Sequence, residues 1–184
     1  MENQKYKSEI WDDVQKMIEE EAKSPDFCYK NKPKQWESLL KGVQTMDSYV
    51  AKYCHLPSVS SRKIGCEDFA NETFNVGLIY SGSKSKATTP FKKEVYSKYE
   101  IYPTYEEFTQ LYNAACMQDY TYENGHLPPT TLTHGGMEHK GVNIGQIMAK
   151  FRNHKDSFSE KSLKLVESVV DGVPMISEYN RGAD

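Results

Sequence analysis

Apolar residues recur at helical spacing through most of the chain. Ile10, Trp11, Val14, Met17 and Ile18 share one face of a helix over 8–23, with Ser8 at the capping position and Pro25 past its end. A second helix is predicted from Pro33, because proline suits a first helical turn; Trp36, Leu39, Leu40, Val43 and Met46 form its stripe. Polar, turn-rich sequence fills 55–73. Short helices follow over 74–81 and 90–99, the latter with Thr89 as cap and Pro90 in its first turn. In the second half, Thr104 and Glu107 make a capping box ahead of Phe108, Leu111 and Ala115. A polar loop holds His126 to Lys140. Ile144, Ile147, Met148 and Phe151 mark a helix from 143, and a second box, Ser157 and Glu160, precedes Leu163 and Val166. Short β-hairpins fit within 55–73 and 126–141.

The two halves repeat one another. Met46-Asp47-Ser48-Tyr49 is followed by His55-Leu56-Pro57; Met117-Gln118-Asp119-Tyr120 is followed by His126-Leu127-Pro128. The stretch Phe74-Asn75-Val76-Gly77-Leu78-Ile79 matches Val142-Asn143-Ile144-Gly145-Gln146-Ile147. Phe91, Tyr96, Tyr99 and Glu100 match Phe158, Leu163, Val166 and Glu167. Three blocks in one order, at nearly one register shift, describe a single supersecondary unit used twice. Gly77 and Gly145 sit one residue into their helices, where a missing side chain lets another helix approach. The expected fold is therefore all-α or mainly α: an N-terminal helix (1–30), two tandem three-helix repeats with long polar loops (31–102 and 103–174), and a short tail (175–184).

Charge limits what such a fold does. The formal net charge is -3, with 23 Lys and Arg against 26 Asp and Glu. Bulk positive charge is thus excluded as a means of holding nucleic acid, although a local basic stripe is not. An acidic surface also suits docking on a basic partner. The four cysteines form no CxxC pair, no apolar leader opens the sequence, and no run reaches the ~18 residues of a membrane span. The expectation is a cytoplasmic protein with free thiols and no membrane partner.

The second copy resembles the helicase-associated domain, whose pattern is roughly G-x-x-x-V-P, L-G-x-W-x-x-x-x-R and L-S-x-x-x-I-x-x-L-E. Gly125-His126 with Pro128 or Pro129, Ile144-Gly145 with Arg152, and Phe158-Ser159 with Leu163 and Val166-Glu167 carry the likeness from about Phe108 to Glu167. The first copy follows with Val76-Gly77, Lys84 in the Arg position, and Phe91. The pattern's Trp is Ile79 in one copy and Ile147 in the other, and no Walker motif is present. The resemblance implies a small nucleic-acid-binding accessory without catalysis or cofactor, with Lys84 and Arg152 on the second helix of each unit.

Around those two positions stand Lys86, Lys92 and Lys93, and Lys140, Lys150, His154 and Lys155. Lys84, Lys86, Lys140, Lys150, Arg152 and Lys155 are the candidate contacts to DNA or RNA phosphates, or to a partner protein; the same residues also suit solvated helix ends. Tyr102, Tyr105, Tyr112, Tyr120 and Tyr122 cluster near the second copy's first helix, as stacking platforms or half-buried core. The acidic balance supports an alternative: an inhibitor from a phage or mobile element, of anti-CRISPR or anti-restriction type, that binds a host nuclease or its nucleic-acid complex. A third reading takes His126, Asn143 and His154 as an HNH-like, metal-dependent nuclease set, with His134 and His139 as further ligands. Cys54, His55 and Cys66 lack the second close pair that a structural zinc needs.

Overall fold

A computed structural model describes residues 6–58, 76–129 and 138–173. Most of the 55–73 loop, His134 and the 175–184 tail lie outside them. Among the described residues the fold is helical apart from one short hairpin, and the chain divides into two compact units, Met1–Tyr105 and Glu106–Asp184.

The first unit holds α1 (Trp11–Lys23), α2 (Pro33–Tyr53), α3 (Val76–Ser83) and α4 (Pro90–Ser97), the last running into a 3-10 turn at Lys98–Ile101. Trp11, Val14 and Ile18 of α1 are buried with Leu39, Val43, Met46, Tyr49 and Val50 of α2, Val76 of α3, and Val95, Tyr96 and Tyr99. The N-terminal helix is thus part of this core. Ser8 does not cap it through its side chain. Its hydroxyl and backbone N–H donate instead to the carboxylate of Asp47, which is fully buried and also accepts from the Tyr99 hydroxyl at 3.3 Å. A buried carboxylate must be saturated with donors, and this one draws the segment before α1 and the 3-10 turn after α4 onto α2.

The second unit holds α5 (Tyr105–Asn124), a hairpin of β1 (Glu138–His139) and β2 (Val142–Asn143), α6 (Ile144–Asn153), a 3-10 turn (Lys155–Ser157) and α7 (Glu160–Val170). Ala114, Met117 and Tyr120 of α5 pack with Ile144, Ile147, Met148 and Phe151 of α6 and Val166 and Val169 of α7. Ala115 is exposed, so the inward face of α5 runs through Ala114 rather than the predicted neighbour. The cap of α7 is Ser159, which accepts from the Ser162 N–H at 3.3 Å; Ser157 lies in the preceding 3-10 turn, two residues before the true start. Gln110 on α5 holds that start in place, accepting from the Ser159 N–H and the Ser162 hydroxyl, both at 2.8 Å.

Several matched apolar positions share their burial. Met46 and Met117, Tyr49 and Tyr120, Leu56 and Leu127, Val76 and Ile144, and Tyr99 and Val166 are all in core. Each long helix ends in the same way. The Nδ1–H of His55 donates to the Leu56 carbonyl at 2.9 Å, and that of His126 to the Leu127 carbonyl at 3.0 Å. Each imidazole also meets a tyrosine of the preceding turn edge-on, Tyr49 at 5.5 Å and Tyr120 at 5.7 Å.

Close approach in the first unit occurs at Gly42 of α2. A Cβ there would stand 2.8 Å from the Tyr96 hydroxyl and 3.4 Å from Ile79. That hydroxyl is buried and has no hydrogen-bond partner among the described residues. Tyr96→Phe is therefore expected to stabilise the first unit by about 1 kcal/mol. Gly42→Ala is expected to destabilise it, because overpacking of ~1–3 kcal/mol outweighs a helix-propensity gain of ~1 kcal/mol, and Tyr96→Phe should restore the loss. Both tryptophans, Trp11 and Trp36, belong to this unit, so urea denaturation followed by tryptophan fluorescence reads it directly.

Burial raises the phenols of Tyr96 and Tyr99 above their ordinary value of 10.0, and the Asp47 charge adds to the effect on Tyr99. The unfolded chain ionises these phenols near that ordinary value, while the folded unit keeps them neutral. Their contribution to stability is complete below it and falls as pH rises above it. The urea midpoint of the first unit should drop between about pH 9 and about pH 11, and drop less in Tyr99→Phe.

Candidate nucleic-acid interface

The connection between the second and third helices of each copy gathers the cations. In the first unit it is built from α3 outward. Ser83 donates its hydroxyl to the Tyr80 carbonyl at 2.6 Å, and the Thr88 hydroxyl donates to the Gly82 carbonyl at 2.9 Å, so the end of α3 closes in a tight turn. Lys84 falls one residue past the helix, not on it, because side-chain bonds to the last carbonyls end α3 early. Its ammonium lies 4.5 Å from the Tyr80 ring centroid and 3.8 Å from Glu100. The Tyr80 hydroxyl, and then Glu100, hold it above the ordinary lysine range. Thr89 caps α4, accepting from the Lys92 N–H at 3.3 Å, and itself bonds the Tyr29 hydroxyl at 2.7 Å. Residues 84–93 carry Lys84, Lys86, Lys92 and Lys93 with no acidic residue; Lys84 and Lys86 are exposed. Lys34 and Lys92 line one cleft with Thr88 and Thr89.

In the second unit, Lys150 and Arg152 stand in the last turn of α6, exposed, and Lys155 opens the 3-10 turn that follows. Residues 150–155 hold these three cations and His154, again with no acidic residue. The Lys150 ammonium lies 5.4 Å from the Phe158 ring and that of Lys155 4.4 Å from Phe151; Lys155 also pairs with Glu167 at 3.6 Å. Lys155–Glu167 and Lys84–Glu100 are half-exposed pairs worth ~0–1 kcal/mol, weak enough for a phosphate to displace the carboxylate.

Lys140 belongs elsewhere. It sits with Gly141 in the two-residue hairpin turn, both at positive φ (51° and 78°), the pattern of a type I′ turn. Its ammonium pairs with Asp119 of α5. Lys140, and then His139, hold the Asp119 carboxyl below the usual carboxylate range. Asp119, Glu123 and His139 form a group able to hold a metal ion, their ligand atoms all within 4.8 Å of one another. From sequence, His139 offers itself only as an extra ligand of the HNH-like set; the signal for this group is the i, i+4 spacing of Asp119 and Glu123 ahead of a turn-flanking histidine.

Two residues of the HNH-like set carry structural duties. His126 is buried in the turn after α5. The Asn143 side chain caps α6, accepting from the Gln146 N–H at 3.0 Å. His154 is exposed at the C-cap of α6. Of the tyrosines, Tyr120 is buried and Tyr102 half-buried, whereas Tyr105, Tyr112 and Tyr122 are exposed, Tyr122 at 90%. Cys28, Cys54 and Cys116 are free thiols, and no described helix is long and apolar enough to cross a membrane. Asn143→Ala is expected to cost the second unit about 1 kcal/mol through its lost cap, and His154→Ala almost nothing; thermal unfolding followed by circular dichroism distinguishes them. Comparison of the chain with family models, with curated proteins and with solved structures gives no match.

Proposed function

We propose that this chain is a non-catalytic nucleic-acid-binding accessory that grips the phosphate backbone with the same part of each copy. One observation carries the reading: Lys and Arg gather around the helix-to-helix connection of both units, with no acidic residue over 84–93 or 150–155 and Asp156 next in the second, in a chain whose total charge is negative. A protein of net charge -3 has no general reason to place Lys84, Lys86, Lys92 and Lys93 in one copy, and Lys150, Arg152 and Lys155 at the corresponding place in the other. Hydroxyls of Ser85 and Thr88 border the first set and Asn153 the second, and such groups supplement charged contacts to phosphate. The likeness to helicase-associated domains points the same way. Lys140 is left out of the grip, since Asp119 engages it.

Binding of this kind follows shape and charge more than sequence, and weakens steeply with salt. In fluorescence anisotropy with labelled duplex DNA, single-stranded DNA and RNA, the wild type should bind at low salt, with a log–log salt slope of about -3 to -5 for a handful of phosphates. Lys84→Ala/Lys86→Ala should weaken binding and flatten the slope, and Lys150→Ala/Arg152→Ala should do the same independently. Absence of binding to all three probes at low salt overturns the reading and leaves the alternative, a protein partner met through the exposed acids of α1 (Asp12, Asp13, Glu19 and Glu20).

A further inference from the structure

The second unit carries a group of side chains that neither the core nor the basic connections use. Asp119 and Glu123 lie one turn apart on α5, so their carboxylates share a face. The hairpin sets His139 against that face, its Nε2 2.9 Å from Asp119 Oδ2 and 3.9 Å from Glu123 Oε2. The imidazole is largely shielded, with 15% of its side chain exposed, and packs edge-on against Tyr120 at 5.8 Å. The type I′ turn fixes the strand that delivers it.

We propose that Asp119, Glu123 and His139 bind a first-row divalent cation of the zinc type, leaving at least one position for water. Two ligands of a tetrahedral zinc at ~2.1 Å stand about 3.4 Å apart. The observed separations bracket that value, so small side-chain rotations close the site around an ion. One imidazole among oxygens favours zinc, cobalt or nickel over calcium or magnesium. The group also already attracts a cation, because the Lys140 ammonium rests on Asp119 at the end of a long, half-exposed chain that can swing aside.

The internal repeat supplies independent support. The register that aligns the long helices puts Ser48 opposite Asp119 and Lys52 opposite Glu123; the register that aligns Asn75 with Asn143 puts Asn71 opposite His139. None of the three first-copy residues is a strong metal ligand. In that copy Ser48 donates to the Tyr6 carbonyl, and Lys52 lies against Tyr6 and Tyr53. The repeat fold therefore does not need a carboxylate–carboxylate–imidazole set here, yet the second copy has all three at once. The site stands apart from the nucleic-acid reading.

The test uses the full chain, stripped with chelator and titrated calorimetrically with zinc chloride and with cobalt chloride. One ion should bind the wild type at micromolar affinity, with cobalt giving visible absorption bands from imidazole and carboxylate ligation. His139→Gln and Asp119→Asn should each weaken zinc binding by about a hundredfold or more, since losing even an outer-shell partner costs 10–100-fold. Lys140→Ala should tighten it several-fold by removing the competing ammonium, and this variant keeps every ligand if the others misfold. No heat of binding at millimolar zinc overturns the proposal. So does unchanged affinity in folded His139→Gln, or weaker binding in Lys140→Ala.

Discussion

A histidine folded back on its own chain closes the long helix of each unit, and the rest of each unit is arranged around that closure. In His55 and His126 the ring is buried, its Nδ1–H is used on the next residue's carbonyl, and its edge rests on a tyrosine of the last turn. The bond satisfies the ring's N–H within the core, where an unpaired polar group would be costly. The following Leu-Pro pair then turns the chain away: Leu56 and Leu127 enter the core, and the prolines cannot continue the helix. In the next helix of each unit the second residue is a buried glycine, Gly77 or Gly145.

Around this shared frame the two copies solve their polar requirements differently. The first buries the Asp47 carboxylate and satisfies it with Ser8 and Tyr99, which incorporates the extra N-terminal helix. The second uses the neutral amide of Gln110 to hold the start of its last helix. A buried charge is costlier to leave unpaired than an amide. The first unit therefore depends more on each partner of its network being present, and its cluster of shielded phenols ties it to pH as well.

Much of this was legible in the sequence because periodicity and repetition reinforce each other. Pro33 and Thr89 announce their helices by residue type, and the paired Met, Tyr, His and Leu positions announce the repeat. What was not legible depended on distant partners. Ser8 reads as a cap until Asp47, far along the chain, takes its hydroxyl. Ser157 and Glu160 read as a capping box until Gln110 fixes the start at Ser159. Lys140 reads as one more surface cation until the hairpin lays it on Asp119. The Asp119–Glu123–His139 group shows the same limit, since only the hairpin register joins residues from two elements.

In the proposed function, two copies of one unit present corresponding cationic connections to one nucleic acid. The most direct measurement is a titration of the isotopically labelled full chain with an oligonucleotide, followed by backbone amide NMR shifts. Shifts are expected to concentrate at 84–93 and at 150–155, moving together with one binding curve and diminishing as salt rises. Shifts confined to one connection, or centred on α1 or the Asp119 face, would contradict it.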